Sequence, residues 1–199
     1  MGKLIYGVGI SEAGEFSRSV RTGEKTAHTR EYRLWCNMLQ RCYSERHRQK
    51  YPTYLGCGVS EDFKYFQRFA KWCHAQIGFG ERGFQLDKDI LGRGNLQYSE
   101  DTCVFVPQRI NLLLIKCDAV RGDHPIGVSL TKQQKYVAHC GDDNGKRLHL
   151  GIFNTPEAAH CAYKTCKESL IKRLADEYQS VIDHRVYTAL MVYTISIND

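Results

Sequence analysis

The chain has 199 residues, of which 42% are hydrophobic, 25% charged and 11% aromatic. That balance supports one sizeable core or two small ones and excludes disorder as the main state. No apolar run of about 18 residues occurs, and the opening MGKLIYGVGISEAGE lacks the apolar centre of a signal peptide. The expectation is an intracellular protein with no membrane partner.

The formal net charge is +6, from 28 Lys/Arg against 22 Asp/Glu, and residues 1–60 alone hold 10 basic and 5 acidic side chains. A basic front segment suits phosphate contacts in nucleic acid and equally suits a solvated face. The nine cysteines are odd in number and contain no CxxC pair. They read as reduced thiols packed as small apolar groups, with neither a disulfide framework nor zinc expected.

In chain order, residues 1–28 are rich in Gly, Ser, Thr and charge without a sustained apolar period, and read as a basic N-terminal arm. From Thr29 the spacing of Tyr32, Trp35, Cys36, Leu39 and Cys42 or Tyr43 predicts an amphipathic helix, with Arg30, Arg33 and Arg41 on its other faces as candidate DNA contacts. After the turn-like YPTYLGCGV, a second helical run carries Phe63, Phe66, Phe69, Ala70 and Cys73, whose aromatic rings read as core. Residues 84–91, FQLDKDIL, alternate as a strand that puts Phe84, Leu86 and Lys88 on one side and Gln85, Asp87 and Asp89 on the other. A Gly92–Asn95 loop, the strand TCVFVP and the helix QRINLLLIK follow, which makes a compact ββα unit within a module of residues 29–120.

A second domain is expected over residues 121–178. IGVSL, KYVAHC and KRLHLGIF read as short strands, with the strong turn signal GDDNGK before the third. The segment from Thr155 to Tyr178 reads as a helix with Thr155 as N-cap, Pro156 at the first position and Glu157 in the first turn. Residues 179–199 carry Val181, Ile182, Val186, Tyr187, Leu190 and Tyr193, too apolar for a free linker, and are expected to pack back. The fold class is α+β.

The pattern of Gly127-Val128, Lys135-Tyr136 with Ala138, and GKR..LG.F.TPEAA..AY from Gly145 to Tyr163 resembles the plant Apetala-two/ethylene-response-factor (ERF) DNA-binding domain, which also occurs in phage and bacterial homing endonucleases. The resemblance implies a three-stranded antiparallel sheet, packed on one helix, with its outer face in the major groove of double-stranded DNA. Carried over by position, Ser129, Tyr136, His139, Arg147 and His149 would face DNA, with Lys132, Gln134, Lys135 and Lys146 near the backbone. Ser129, His139 and His149 replace an Arg, a Glu and a Trp of the plant pattern, so the plant target sequence is not implied.

The run from Thr29 to Asn111, with W..ML.RCY, Y.GCGV and LDKDILGRGNLQYSEDTCVFVPQRIN, resembles the HNH (His-Me finger) nuclease family in the diverged form of phage homing-endonuclease proteins. The resemblance implies a divalent-metal-dependent endonuclease or nickase, with Asp87 at the family's Asp, Lys88 at its general-base His, Asn95 at its loop Asn and Asn111 at its helical ligand. Asp87, Asp89 and Asn111 would make an oxygen-rich site for Mg or Mn. Lys88 stands against this chemistry, because an ordinary Lys with pKa of about 10.4 stays protonated and binds phosphate rather than activating water. A metal-bound hydroxide, His74 or His124 would then have to serve, or the carboxylates pair with Arg93 or Arg109 and the site is inert. Three functions stay open: a site-preferring endonuclease, an inactive DNA-binding regulator, and an inhibitor of a host protein that reuses the scaffold. The resemblance places each of them in the cytoplasm of a phage-infected bacterium.

Overall fold

The computed structural model describes residues 4–115, 123–142 and 145–198. Among them the chain is an α+β protein with six α-helices and several short sheets. No helix of the described residues is long and apolar enough to cross a membrane. Two compact units divide the chain, Met1–Phe105 and Val106–Asp199. The division falls within the strand Val104–Pro107, where the sequence pattern suggests a boundary at 120/121, and the short helix after that strand packs on the long helix Pro156–Tyr178.

The first unit is organised by α1 (Arg30–Tyr43), whose Tyr32, Trp35, Met38, Leu39 and Cys42 are all buried on one face. Trp35 fills the centre with no exposed surface, and its indole Nε1–H donates to Phe63 O at 2.8 Å. After the six-residue α2 (Glu45–Lys50) come two 3₁₀ turns, Pro52–Tyr54 and Asp62–Lys64; the second delivers Phe63, and α3 (Phe66–His74) buries Phe66, Phe69, Ala70 and Cys73. Edge-on contacts at 5.0 Å between Phe63 and Phe69, and at 5.1 Å between Tyr32 and Phe66, knit these elements into one aromatic core.

The expected N-terminal arm is corrected in its first part. Ile10 bridges to Tyr65, between the second 3₁₀ turn and α3, through Ile10 N–H to Lys64 O at 2.8 Å and Phe66 N–H to Ile10 O at 3.0 Å. Gln67 then clasps Phe16 from both sides, accepting from its N–H at 3.0 Å and donating to its carbonyl at 2.9 Å. Gly9 crosses α1 so closely that a Cβ there would lie 2.4 Å from Leu39 Cδ1. The hairpin β1 (Ser19–Thr22) and β2 (Lys25–His28) that follows is exposed along both strands.

β3 (Gly58–Val59) and β5 (Gln97–Tyr98) form a parallel pair, and β4 (Phe84–Asp87) is joined with β6 (Val104–Pro107) in a second two-stranded sheet. The strand expected to run to Leu91 therefore ends at Asp87. The side chain of Asp87 turns back onto the amides that follow it, and this closes the strand.

In the second unit, α4 (Gln108–Leu113) is held to the long α5 (Pro156–Tyr178) by an Arg109–Glu177 ion pair at 2.5 Å. β7 (Val128–Leu130), β8 (Tyr136–Gly141) and β9 (Arg147–Phe153) form an antiparallel sheet in that order, with one bulge in β9 opposite Ala138/His139. Thr155 caps α5 by accepting from Ala158 N–H at 3.2 Å. The front of α5 covers the sheet, where Tyr163 and Ile195 enclose Cys140, and α5 also packs on α6 (His184–Met191), which buries Val186 and Leu190.

Gly127 enters the sheet at φ +80°, and a Cβ there would fall 2.1 Å from Tyr163 Cδ2. Gly127→Ala is expected to lose about 1–3 kcal/mol from overpacking alone, with left-handed backbone strain in addition. Thermal unfolding by circular dichroism checks this, and an unchanged midpoint contradicts the packing described.

Candidate nucleic-acid interface

The loop after β4 brings together four of the residues expected to carry catalysis or metal binding. Asp87 Oδ1 accepts the N–H groups of Asp89 and Ile90, each at 2.8 Å. Burial pushes the Asp87 carboxyl above its usual range, against the downward pull of those two amides. Lys88 is the buried centre of the loop. Its side chain is 7% exposed, and its Nζ lies 2.5 Å from Asp89 Oδ1 and 2.6 Å from Asn95 O, 5.7 Å over the Tyr98 ring. Asn95 closes the loop from the other end, donating to Lys88 O at 3.0 Å and to Gln97 O at 2.6 Å while accepting from Gln97 N–H at 3.1 Å.

Each of these side chains is thus engaged inside the loop. Asn111 stands half-buried on α4, in the second unit. A hard divalent ion needs several oxygens turned toward one point. Here one oxygen of Asp87 serves backbone amides, Asp89 faces an ammonium, and that ammonium would repel a second cation a few ångströms away. The residues do not fit Mg or Mn. Among the described residues no group of three or more His, Cys, Asp or Glu is placed to hold a metal.

Two of the three arginines assigned to α1 as DNA contacts turn inward. Arg30 donates to Glu81 O at 3.1 Å and Phe84 O at 3.0 Å and lies 5.6 Å over Phe79, so it clamps the loop that leads into β4. Arg41 is half-buried over the Tyr54 ring at 5.6 Å. Arg33 alone of the three is exposed.

The three-stranded sheet gathers most of the remaining candidates on one surface. Ala138 and Cys140 are buried toward α5, so the alternation of β8 turns Val137, His139 and Gly141 outward. Residues directly opposite share a face, which adds Ser129 and Ile152 beside Val137, His149 beside His139, and Arg147 beside Gly141. Tyr136 pairs with Leu130 and Phe153 on the side of Ala138, so its expected place on the outer face is corrected. The sign was legible in its even spacing from Ala138 and Cys140. Val137 and Ile152, the latter 61% exposed, are outer-face residues that the pattern comparison missed and the same parity locates.

Cations flank this face at both ends. Lys132, Gln134 and Lys135 are exposed in the β7–β8 turn, where Lys135 Nζ donates to Asn154 Oδ1 at 2.5 Å, and Lys146 is exposed next to β9 at the opposite end. In the middle, Arg147 Nη2 donates to His139 Nδ1 at 3.0 Å, and the His139 and His149 rings meet nearly at right angles with centroids 5.3 Å apart. Because Arg147 can only donate, Nδ1 is the acceptor and the ring proton sits on Nε2. Burial first, then Arg147 and His149, hold the His139 imidazolium pKa below the usual histidine range. The face therefore offers a neutral imidazole donor, a guanidinium and apolar surface between two basic ends.

No protein-family model, curated protein or solved structure matches the chain.

Two outcomes follow from this geometry. Asp87→Asn keeps a carbonyl oxygen for both amides and removes a buried charge, so it should unfold no earlier than wild type at neutral pH, whereas Asp87→Ala orphans two amides at about 1–3 kcal/mol. Since the folded carboxyl pKa is raised, the contribution of Asp87 is greatest below the unfolded value near 3.9 and declines as pH rises through the folded one; Asp87→Asn removes that decline. Thermal midpoints of the three proteins from pH 4 to pH 8 measure both effects. For His139, proton NMR should show titration below about 6.5, and Arg147→Ala should move it upward; an unmoved value contradicts the pairing.

Proposed function

We propose that this protein binds double-stranded DNA through the outer face of β7–β8–β9 and does so without cutting it, as a DNA-binding regulator. The observation that carries this reading is the register of that face, which lines Ser129, His139, His149 and Arg147 across a surface with basic side chains at both ends. A sheet of this width fits a major groove. Its terminal cations suit the two phosphate backbones, Arg147 suits a guanine edge, and Val137 and Ile152 suit thymine methyl groups.

The loop of Lys88 supports the non-cleaving half of the reading. At the place where the nuclease family carries its general base, this chain holds a buried ammonium bonded to Asp89 and to the Asn95 carbonyl. An ammonium with two acceptors has no lone pair for a proton of water. Its chemistry in the fold is to tie β4 to β5.

Duplex binding measured over a range of salt, with and without Mg or Mn, tests the proposal. Binding should weaken steeply as salt rises. Arg147→Ala should relax sequence preference at one position by about 1–3 kcal/mol, while Lys146→Ala should weaken all sequences about equally. Metal-dependent nicking of duplex DNA by wild type, lost in Asp87→Ala, overturns the non-cleaving assignment. Absence of duplex binding at low salt overturns the DNA-binding one.

A further inference from the structure

All eight strand residues of the hairpin β1–β2, Ser19–Thr22 and Lys25–His28, are exposed on both faces. An isolated two-stranded ribbon is marginal in water, yet this one is fixed at its root. Thr29 N–H donates to Arg18 O at 3.1 Å, Thr29 Oγ1 donates to Ser17 O at 3.0 Å, and the His28 ring lies 5.0 Å from that of the buried Tyr32. The base is held against α1 while the tip projects.

The charge on the ribbon has one sign. Arg18, Arg21 and Lys25 stand against the single acid Glu24 at the tip. Arg21 makes only a local bond, from Nε to Gly23 O at 3.2 Å, and among the described residues neither it nor Lys25 has an ion pair. In the register Arg21↔Thr26 and Thr22↔Lys25, the two cations leave from opposite faces. A ribbon that enters a groove has a phosphate backbone on each side, so cations on both faces each meet one. The other strand residues are mostly small and polar, which suits close approach to a duplex and not an apolar protein partner.

We infer that the hairpin Ser19–His28 is a second duplex-DNA contact, a basic ribbon that adds groove and phosphate contacts to those of the sheet. The inference rests on the DNA-binding reading above and concerns a different unit of the chain. Its contribution is affinity and salt dependence, since phosphate contacts position without specifying.

The test uses the full chain with a fluorescent duplex of about 30 base pairs, and compares wild type, Arg21→Ala/Lys25→Ala, and a control with equal charge loss, Lys71→Ala/Arg82→Ala, titrated at several salt concentrations. Both pairs are exposed, and unchanged thermal midpoints verify the fold. The expected result is a slope of log affinity against log salt shallower by about two in the hairpin variant, near the wild-type value in the control, and regained in Arg21→Lys/Lys25→Arg. Trypsin cleavage after Arg21 and Lys25 should slow when duplex is bound. If wild type binds and the hairpin variant matches it in affinity and slope, the inference is overturned while the sheet reading stands. If Arg147→Ala binds as wild type does and the hairpin variant is weakened, the sheet reading fails and the hairpin contact stands. If wild type binds no duplex at low salt, both are overturned.

Discussion

Ala138 and Cys140 lie sealed against α5, and that burial decides what the second unit can present to a partner. A strand has only two faces, so two buried residues on one side commit the residues between and beyond them to the other. A shift of one residue would carry Val137, His139 and Gly141 under the helix and expose the packed side chains instead. Gly127 and Tyr163 guard the same arrangement where the chain enters the sheet, since no side chain fits between that backbone and the ring. Packing between helix and sheet thus selects a surface of imidazole, guanidinium and aliphatic groups.

Within the first unit, three cationic side chains serve the fold. Lys88 bridges a carboxylate and a carbonyl inside its loop, Arg30 clamps two carbonyls, and Arg41 lies along an aromatic ring. Each contact brings order to a stretch of irregular backbone that short strands alone could not hold. Other cations of the unit, Arg33, Lys71, Arg82 and those of the β1–β2 ribbon among them, are exposed. Net charge by itself gives no account of this division, because a guanidinium bound to carbonyls and one in solvent count alike in the total.

Much of the architecture was legible along the chain. The three- and four-residue spacing from Tyr32 to Cys42 placed one face of α1 in the core, and Thr155-Pro156-Glu157 marked the start of α5. The end of β4 was not legible in the same way. Phe84, Leu86 and Ile90 keep the two-residue spacing past Asp87, and the bonds from Asp89 and Ile90 N–H to Asp87 Oδ1 turn the chain out of the strand. Likewise the early residues lack any periodic signal, yet Ile10 and Phe16 are held by partners that lie some fifty residues onward in sequence.

The sequence by itself determined the α+β class, the helical faces and the basic front of the chain, because periodicity, capping and composition are local properties. It also contained the parity that turns Tyr136 inward and Val137 outward, given that Ala138 and Cys140 are core. Tertiary structure alone decided which charged groups face solvent and which are bonded inside. Lys88, Arg30 and Arg41 look like any other cations in the chain, and their roles depend on carbonyls, carboxylates and rings contributed by other segments. Such contacts are made only when distant parts of the chain meet, and no local pattern encodes them.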